Sequence, residues 1–158
     1  MRDAAINKNA WDHTDKSQGN DCLPLFGSLK TNIDLSTLHP TQVQIFRLWQ
    51  IYLDNVNPLL KVTHTPTLQI RIIDAASDVA NINPVFEALM FSIYCVSVMS
   101  LTEDECYSLF GSPKKDLLAS YQFACEQALL NCKALQSGDS DSLTALYLYL
   151  VSSSCSTP

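Results

Sequence analysis

The sequence predicts an all-α protein, an irregular bundle of about six helices. Apolar residues recur three and four positions apart through several long segments, as they do on one face of a helix. Proline, glycine and helix-capping residues separate these segments, which is typical of short turns between helices. Period-two alternation, the pattern of a half-buried strand, occurs only in the short run LYLYLV at residues 146–151. We interpret that run as helical, because capping residues precede it.

The first helix is expected from about Pro40 to Asn55. Pro40 suits a first-turn position, where its missing N–H costs nothing. Apolar and aromatic residues fall on one face of this segment at helical spacing: Ile45, Trp49, Tyr52 and Val56. We expect the pair Asn57-Pro58 to end the helix, because the residue before a proline avoids the α region.

Two further helices begin at proline signals. Thr65 is expected to cap a helix with Pro66 in its first turn, and this helix extends to about Val79. Asn83-Pro84 repeats the signal and starts a helix to about Leu101. This segment is apolar nearly all round, so it is expected at the centre of the bundle. Its uncharged part, fifteen residues at 88–102, is shorter than the roughly 20 residues that a membrane span needs.

The last third of the chain predicts three more helices. Thr102 and Glu105 match a capping box that opens a short helix, and Gly111 is expected to end it. Ser112-Pro113 starts a longer helix that is predicted to reach Gly138. The polar residues 139–142 can cap a final helix from Leu143 to Val151.

The segments group into one predicted domain. Residues 1–21 are polar and aperiodic and are predicted to be a disordered tail. Residues 22–152 are predicted to form the helical domain, and residues 153–158 a loose tail.

The final helix is apolar on every side. It must therefore pack centrally, pair with another chain or leave an apolar patch exposed, and we predict self-association or low solubility.

The charge balance argues against independent DNA binding. The formal net charge is −6, from ten basic and sixteen acidic residues. A protein that grips DNA alone neutralises phosphates with Lys and Arg, and the largest basic cluster here is the pair Lys114-Lys115. We therefore expect neither direct DNA contacts nor binding to an acidic membrane.

The six cysteines are scattered and none forms a C-x-x-C pair. Their spacing predicts no zinc site, and the N-terminus lacks the apolar core of a signal peptide. Buried free thiols in a reducing compartment are the simplest interpretation. No cofactor or metal is predicted.

The polar candidates have structural explanations, so we do not predict an enzyme. His39 and His64 each lie before or within a proline turn, and we expect each imidazole to hydrogen-bond a loop or a helix end. The acids at 103–105 and at 139 and 141 lie where a helix dipole favours negative charge. Phosphate-binding glycine loops and the Gly-x-Ser-x-Gly signature are absent from the sequence.

Residues 38–69, LHPTQVQIFRLWQIYLDNVNPLLKVTHTPTLQ, resemble the regulatory middle region of fungal-specific transcription factors. That family has a Leu-Trp pair before a tyrosine, a Val-x-Pro bridge and a His-x-Pro-Thr turn. The matching positions here are Leu48, Trp49, Tyr52, Val56, Pro58, His64, Pro66 and Thr67. The resemblance continues in order through residues 88–106, 120–131 and 143–152, and reaches back to LPLFG at 23–27.

The resemblance implies an all-α regulatory domain of a nuclear transcription factor. Such factors usually carry a zinc cluster built on six closely spaced cysteines, which this sequence does not match, and the chain stops where the family domain normally continues. The expected role is transcription regulation through protein contacts or by sensing a small molecule, with a homodimer or heterodimer of related factors as one form. The alternative is a truncated, non-catalytic fragment that pairs with a full-length relative.

Overall fold

A computed structural model describes residues 34–156, and within this range the protein is helical without strands. The predicted tail at 1–21, the residues that follow it to 33 and the last two residues lie outside the described part. The all-α prediction is confirmed. The α-helices in chain order are α1 (Gln42–Ile51), α2 (Asn57–Leu60), α3 (Thr65–Ser77), α4 (Pro84–Met99), α5 (Glu103–Phe110), α6 (Lys114–Asn131), α7 (Ala134–Ser137) and α8 (Ser140–Ser156).

Helix α4 is the centre of the bundle. Every side chain from Ala88 to Val98 is buried, and the helix packs against α1, α6 and α8. A helix that is apolar all round has no face to offer water and is stable only when it is surrounded. The Asn83 side chain caps its start by accepting a hydrogen bond from the N–H of Val85. The prediction of a central helix beginning at Asn83-Pro84 is therefore confirmed.

The helical path around Pro58 differs from the prediction. Helix α1 starts after Thr41, which forms a capping box with Gln44, so Pro40 lies outside the helix. The chain does not leave the helical path at Asn57: a π-helical turn at Tyr52–Val56 leads directly into α2. A wider turn relieves the clash between a proline ring and the carbonyl four residues earlier. The helical path ends only at Lys61, which adopts a left-handed conformation (φ 50°).

The restart at Thr65 is confirmed, but its predicted cap is wrong. His64 occupies the N-cap position of α3, and no side chain caps the helix there. The Thr65 hydroxyl instead accepts a hydrogen bond from the Asn57 amide at 3.3 Å. This contact draws the beginning of α3 towards the end of the π-helical turn, across a bridge of only a few residues.

The capping box of α5 and its end at a glycine are confirmed, with Gly111 at φ 70°.

The long helix predicted from Ser112-Pro113 to Gly138 is divided in two. Lys133 adopts a left-handed conformation (φ 52°) after α6, and the short helix α7 follows before Gly138. A single residue in this conformation interrupts the ladder of hydrogen bonds, so α6 ends at Asn131.

The final helix is confirmed as helical but is longer than predicted. Helix α8 begins at Ser140 and continues to Ser156, five residues past the predicted end at Val151. Residues 153–156, predicted as part of a loose tail, continue the helix. Asp139 stabilises its start, since its carboxylate accepts a hydrogen bond from the N–H of Asp141 at 3.1 Å.

Candidate interaction surface

The aromatic residues of the motif region belong to the core. Leu48 and Tyr52 are fully buried and Trp49 is 6% exposed. The rings of Trp49 and Tyr52 stack with their centroids 5.5 Å apart. The Ser97 hydroxyl of α4 donates to the carbonyl of Leu48 at 3.1 Å, which ties α1 to the central helix. Trp49 is therefore a core residue that packs inside the bundle.

The turn after α1 is held by a chain of polar contacts. The Tyr52 and Thr63 hydroxyls share a hydrogen bond of 3.0 Å, and Thr63 donates to the Asn57 side chain at 3.4 Å. Burial raises the pKa of Tyr52, which further disfavours the phenolate form that could not donate a hydrogen bond. His64 and Thr67 form a separate, exposed contact at 2.9 Å. His64 therefore bonds within the first turn of α3, as the sequence predicts.

His39 is placed differently from the sequence expectation. Its side chain is only 1% exposed, with Nε2 3.0 Å from the Glu87 carboxylate and Nδ1 3.2 Å from the Tyr94 hydroxyl. The ring also packs on Phe91, with centroids 4.3 Å apart. Glu87 lies in the first turn of α4, so the predicted bond to a helix end is present, but the deep burial was not predicted. These contacts attach the segment before α1 to the central helix.

Helix α8 has one buried and one exposed apolar face. Its inner face packs against α4 and α6 and buries Ala145 and Leu148. Its outer face exposes three large side chains at positions i, i+4 and i+7: Leu143 (53%), Tyr147 (45%) and Leu150 (45%). We call these three residues the α8 stripe. No charged residue occurs from position 142 to position 156.

Two polar contacts attach α8 to other helices, one at its start and one in its second half. Arg71 of α3 forms an ion pair with Asp141 at 2.7 Å, and its guanidinium lies over the Phe86 ring, 4.2 Å from the centroid. Further along, the Tyr149 hydroxyl donates a hydrogen bond to the Glu126 carboxylate of α6. Burial and this bond raise the pKa of Tyr149. Because α8 is attached to α3 at Asp141 and to α6 at Tyr149, its neighbours determine that the α8 stripe faces outward.

A cavity of about 210 Å³ lies where the start of α3 meets the start of α8. His64, Thr67, Arg71 and Asp141 are among its lining residues. The charges of Arg71 and Asp141 already neutralise each other, and the His64 imidazole is bonded to Thr67. The cavity thus offers hydroxyl groups, one of them paired with an imidazole, and an internal ion pair.

The described cysteines are free thiols inside the bundle. Cys95, Cys106 and Cys125 are buried and Cys132 is partly buried. Burial raises the pKa of Cys125 well above its usual value, which keeps the thiol protonated and unreactive. Among the described side chains, those of residues 34–154, no group of three or more His, Cys, Asp or Glu is arranged to hold a metal ion. In the same residues no helix has the length and apolar character needed to cross a membrane.

Sequence comparisons point to one class of protein. The chain is 66% identical over 152 residues to the transcriptional regulator AacuB of Aspergillus aculeatus, a match that covers 96% of this chain and 20% of the relative. It is 57% identical over 154 residues to the transcriptional regulator nsrM of Aspergillus novofumigatus (95% of this chain, 22% of the relative). It is 45% identical over 118 residues to the aurofusarin cluster transcription factor aurR2 of Gibberella zeae (75% and 18%).

This chain is similar to fungal transcriptional regulators. It spans about a fifth of the length of the relatives that it matches. No protein-family model matches the sequence, and no solved structure matches it either. The similarity to the first two relatives extends over nearly the whole chain, so it includes both the motif region of α1–α3 and the α8 stripe.

Proposed function

We propose that this chain is a regulatory module of a fungal transcription factor that works in the nucleus through protein contacts of its helical domain. The observation that carries the proposal is the 66% identity to a named transcriptional regulator across 96% of the chain. The ordered motifs of residues 38–69, which resemble the regulatory middle region of such factors, support the same function.

We propose that the module acts without binding DNA itself. A net charge of −6 opposes binding to a polyphosphate. The all-helical bundle exposes an uncharged apolar face on α8 instead, and such a face is typical of a protein contact. Contacts with other proteins are therefore the best-supported way for this domain to influence transcription.

A tethering experiment tests this function. The full chain is fused to a heterologous DNA-binding module and expressed with a reporter gene that carries the matching site. We expect reporter output to change with the fusion, but not with the DNA-binding module alone or with the unfused chain. An unchanged reporter with a stably expressed fusion would contradict the proposal. In a direct DNA-binding titration across salt concentrations, the purified chain is expected to bind weakly with a shallow salt slope.

The alternative function is a non-catalytic fragment that pairs with a full-length relative. This alternative is favoured by the share of the relative's length that the chain spans, which is about a fifth. Specific capture of a full-length zinc-cluster factor by the purified chain, together with an inactive tethered fusion, would favour this alternative over the proposed module.

A further inference from the structure

The cavity between the start of α3 and the start of α8 contains chemical groups that the proposed protein contacts do not use. Its volume is about 210 Å³, and both apolar and polar side chains line it. The apolar part includes Leu68 and Leu89, which are 4% and 2% exposed. Apolar walls with a few convergent polar groups are typical of a site that binds a small molecule.

An ion pair joins the two helices at this cavity. The Nη2 atom of Arg71 lies 2.7 Å from the Oδ2 atom of Asp141, and the two side chains are 41% and 30% exposed. The Phe86 ring lies under the guanidinium group and fixes its orientation. A guanidinium group has five N–H donors and a carboxylate has two acceptor oxygens, so a single contact leaves both groups able to bind a ligand as well.

The two adjacent charges select the charge pattern of that ligand. A ligand with a single charge is attracted by one member of the pair and repelled by the other. A zwitterion is attracted by both, since its carboxylate can accept hydrogen bonds from Arg71 while its ammonium group donates to Asp141. In an α-amino acid these two groups are attached to the same carbon, so they are close enough to meet the two partners of one ion pair.

The size and the apolar part of the cavity restrict the side chain of such a ligand. An apolar cavity of about 150 Å³ holds benzene, so a volume of about 210 Å³ has room for a somewhat larger molecule. We propose that the cavity binds a free α-amino acid with a small aliphatic side chain. The ligand's charged groups meet Arg71 and Asp141, and its side chain packs against Leu68 and Leu89.

Two larger hollows in the described part of the chain lack this combination. In the hollow of about 400 Å³ beside Lys114, the ammonium group already donates to two carbonyls at the end of α4. The hollow of about 370 Å³ at the end of α3 contains Asp74 and Asp78, and Asp78 already accepts a hydrogen bond from Asn81 at 2.7 Å.

A titration of the isotope-labelled full chain with L-leucine, followed by NMR chemical shifts, tests the site. A ligand of about nine non-hydrogen atoms is expected to bind with a dissociation constant of about 1 mM or lower. The largest shifts are expected in the first turns of α3 and α8. Absence of shifts at roughly twenty times that concentration would overturn the proposal.

Three analogues of leucine test the zwitterion and the apolar contact separately. Isopentylamine lacks the carboxylate, 4-methylpentanoate lacks the ammonium group, and glycine lacks the side chain. Each is expected to bind at least tenfold more weakly than L-leucine, because each loses one of the three contacts. Equal binding of either singly charged analogue would refute recognition of a zwitterion, and equal binding of glycine would refute the apolar contact.

Two variants locate the bound amino acid. Arg71→Gln removes the charge that meets the carboxylate and should weaken binding at least tenfold, whereas Arg47→Gln, at an exposed position of α1, should not. Thr144→Met fills the cavity and leaves the ion pair intact. Its matched control is Ser77→Met, which likewise removes a hydroxyl that donates to a carbonyl of the preceding turn, outside this cavity.

The cavity-filling variant should abolish binding, and its control should bind as the wild type does. Far-UV circular dichroism shows that the variants remain folded. Undiminished binding by folded Thr144→Met, or equal losses in a variant and its control, would overturn the assignment of this cavity.

The inference rests on the proposed function only in what the amino acid would regulate. Because it contacts both α3 and α8, a bound amino acid would stabilise their packing and favour the folded module. The two ideas fail separately. A chain that changes the tethered reporter but does not bind L-leucine removes the site and leaves the regulatory module. A chain that binds L-leucine without any effect on the reporter removes the module and leaves the site.

Discussion

Replacing Trp49 tests the packing of the first helix on the centre of the bundle. Its indole is 6% exposed and stacks on the buried ring of Tyr52. Truncating a buried aromatic side chain to alanine costs about 3–5 kcal/mol, because contacts are lost and a cavity remains. The indole Nε1 is buried without a hydrogen-bond partner in the described structure, so its removal recovers part of that cost. We therefore expect Trp49→Ala to lower the free energy of unfolding by about 3 kcal/mol.

The unpaired indole nitrogen makes a second substitution informative. Trp49→Phe keeps an aromatic ring against Tyr52 and deletes the unpaired N–H, so it should cost about 1 kcal/mol or less. A cost of about 3 kcal/mol corresponds to a fall of about 6–12 °C in the thermal midpoint for a chain of this size. The thermal midpoint of the phenylalanine variant should fall only slightly.

Urea unfolding followed by far-UV circular dichroism measures both variants, since this signal does not depend on the indole. Leu59→Ala, at an exposed position, is the control and should change stability by less than about 0.5 kcal/mol. If the unfolding midpoint of Trp49→Ala matches that of the wild type, the assignment of Trp49 to the core is refuted.

Three other substitutions probe the interior. Gln127→Leu should stabilise the protein by about 1–2 kcal/mol, because both polar atoms of this buried carboxamide lack a partner in the described structure; a lower urea midpoint would contradict this. Lys114→Met should destabilise by about 1–3 kcal/mol, since the ammonium group donates to two carbonyls at the end of α4, at 2.9 and 2.7 Å; Lys115→Met is the control. Burial raises the pKa of Tyr121 to about 12, so its phenolate forms more readily in the unfolded chain, with a pKa near 10. Stability should therefore fall as pH rises from about 10 to about 12, and Tyr121→Phe should reduce the slope in a pH series of unfolding midpoints.

Several features of the fold are encoded locally and were predictable from the sequence. The capping box of Thr102 and Glu105, the cap at Asn83 and the stop at Gly111 involve residues only a few positions apart. The central position of α4 follows from its composition, because a helix without a polar face must be surrounded. These signals determined the all-α class and most of the helix starts.

The structure differs from the sequence-based prediction where residues that are distant in sequence come into contact. The pair Asn57-Pro58 was expected to end the first helix, yet the π-helical turn before it keeps the chain helical past Pro58. The hydrogen bond between Tyr52 and Thr63 holds that turn. His39 is buried because Glu87 and Tyr94 of α4 supply partners for both ring nitrogens. Sequence periodicity contains no information about such partners.

The sequence by itself determined that α8 would be apolar on every side. Only the tertiary structure decided which of its faces meets the core. Packing against α4 and α6, with Arg71 holding Asp141 at one end, buries Ala145 and Leu148 and leaves the α8 stripe outside. The physical reason is that neighbouring helices determine which face of a uniformly apolar helix is buried, since its own sequence pattern favours no face.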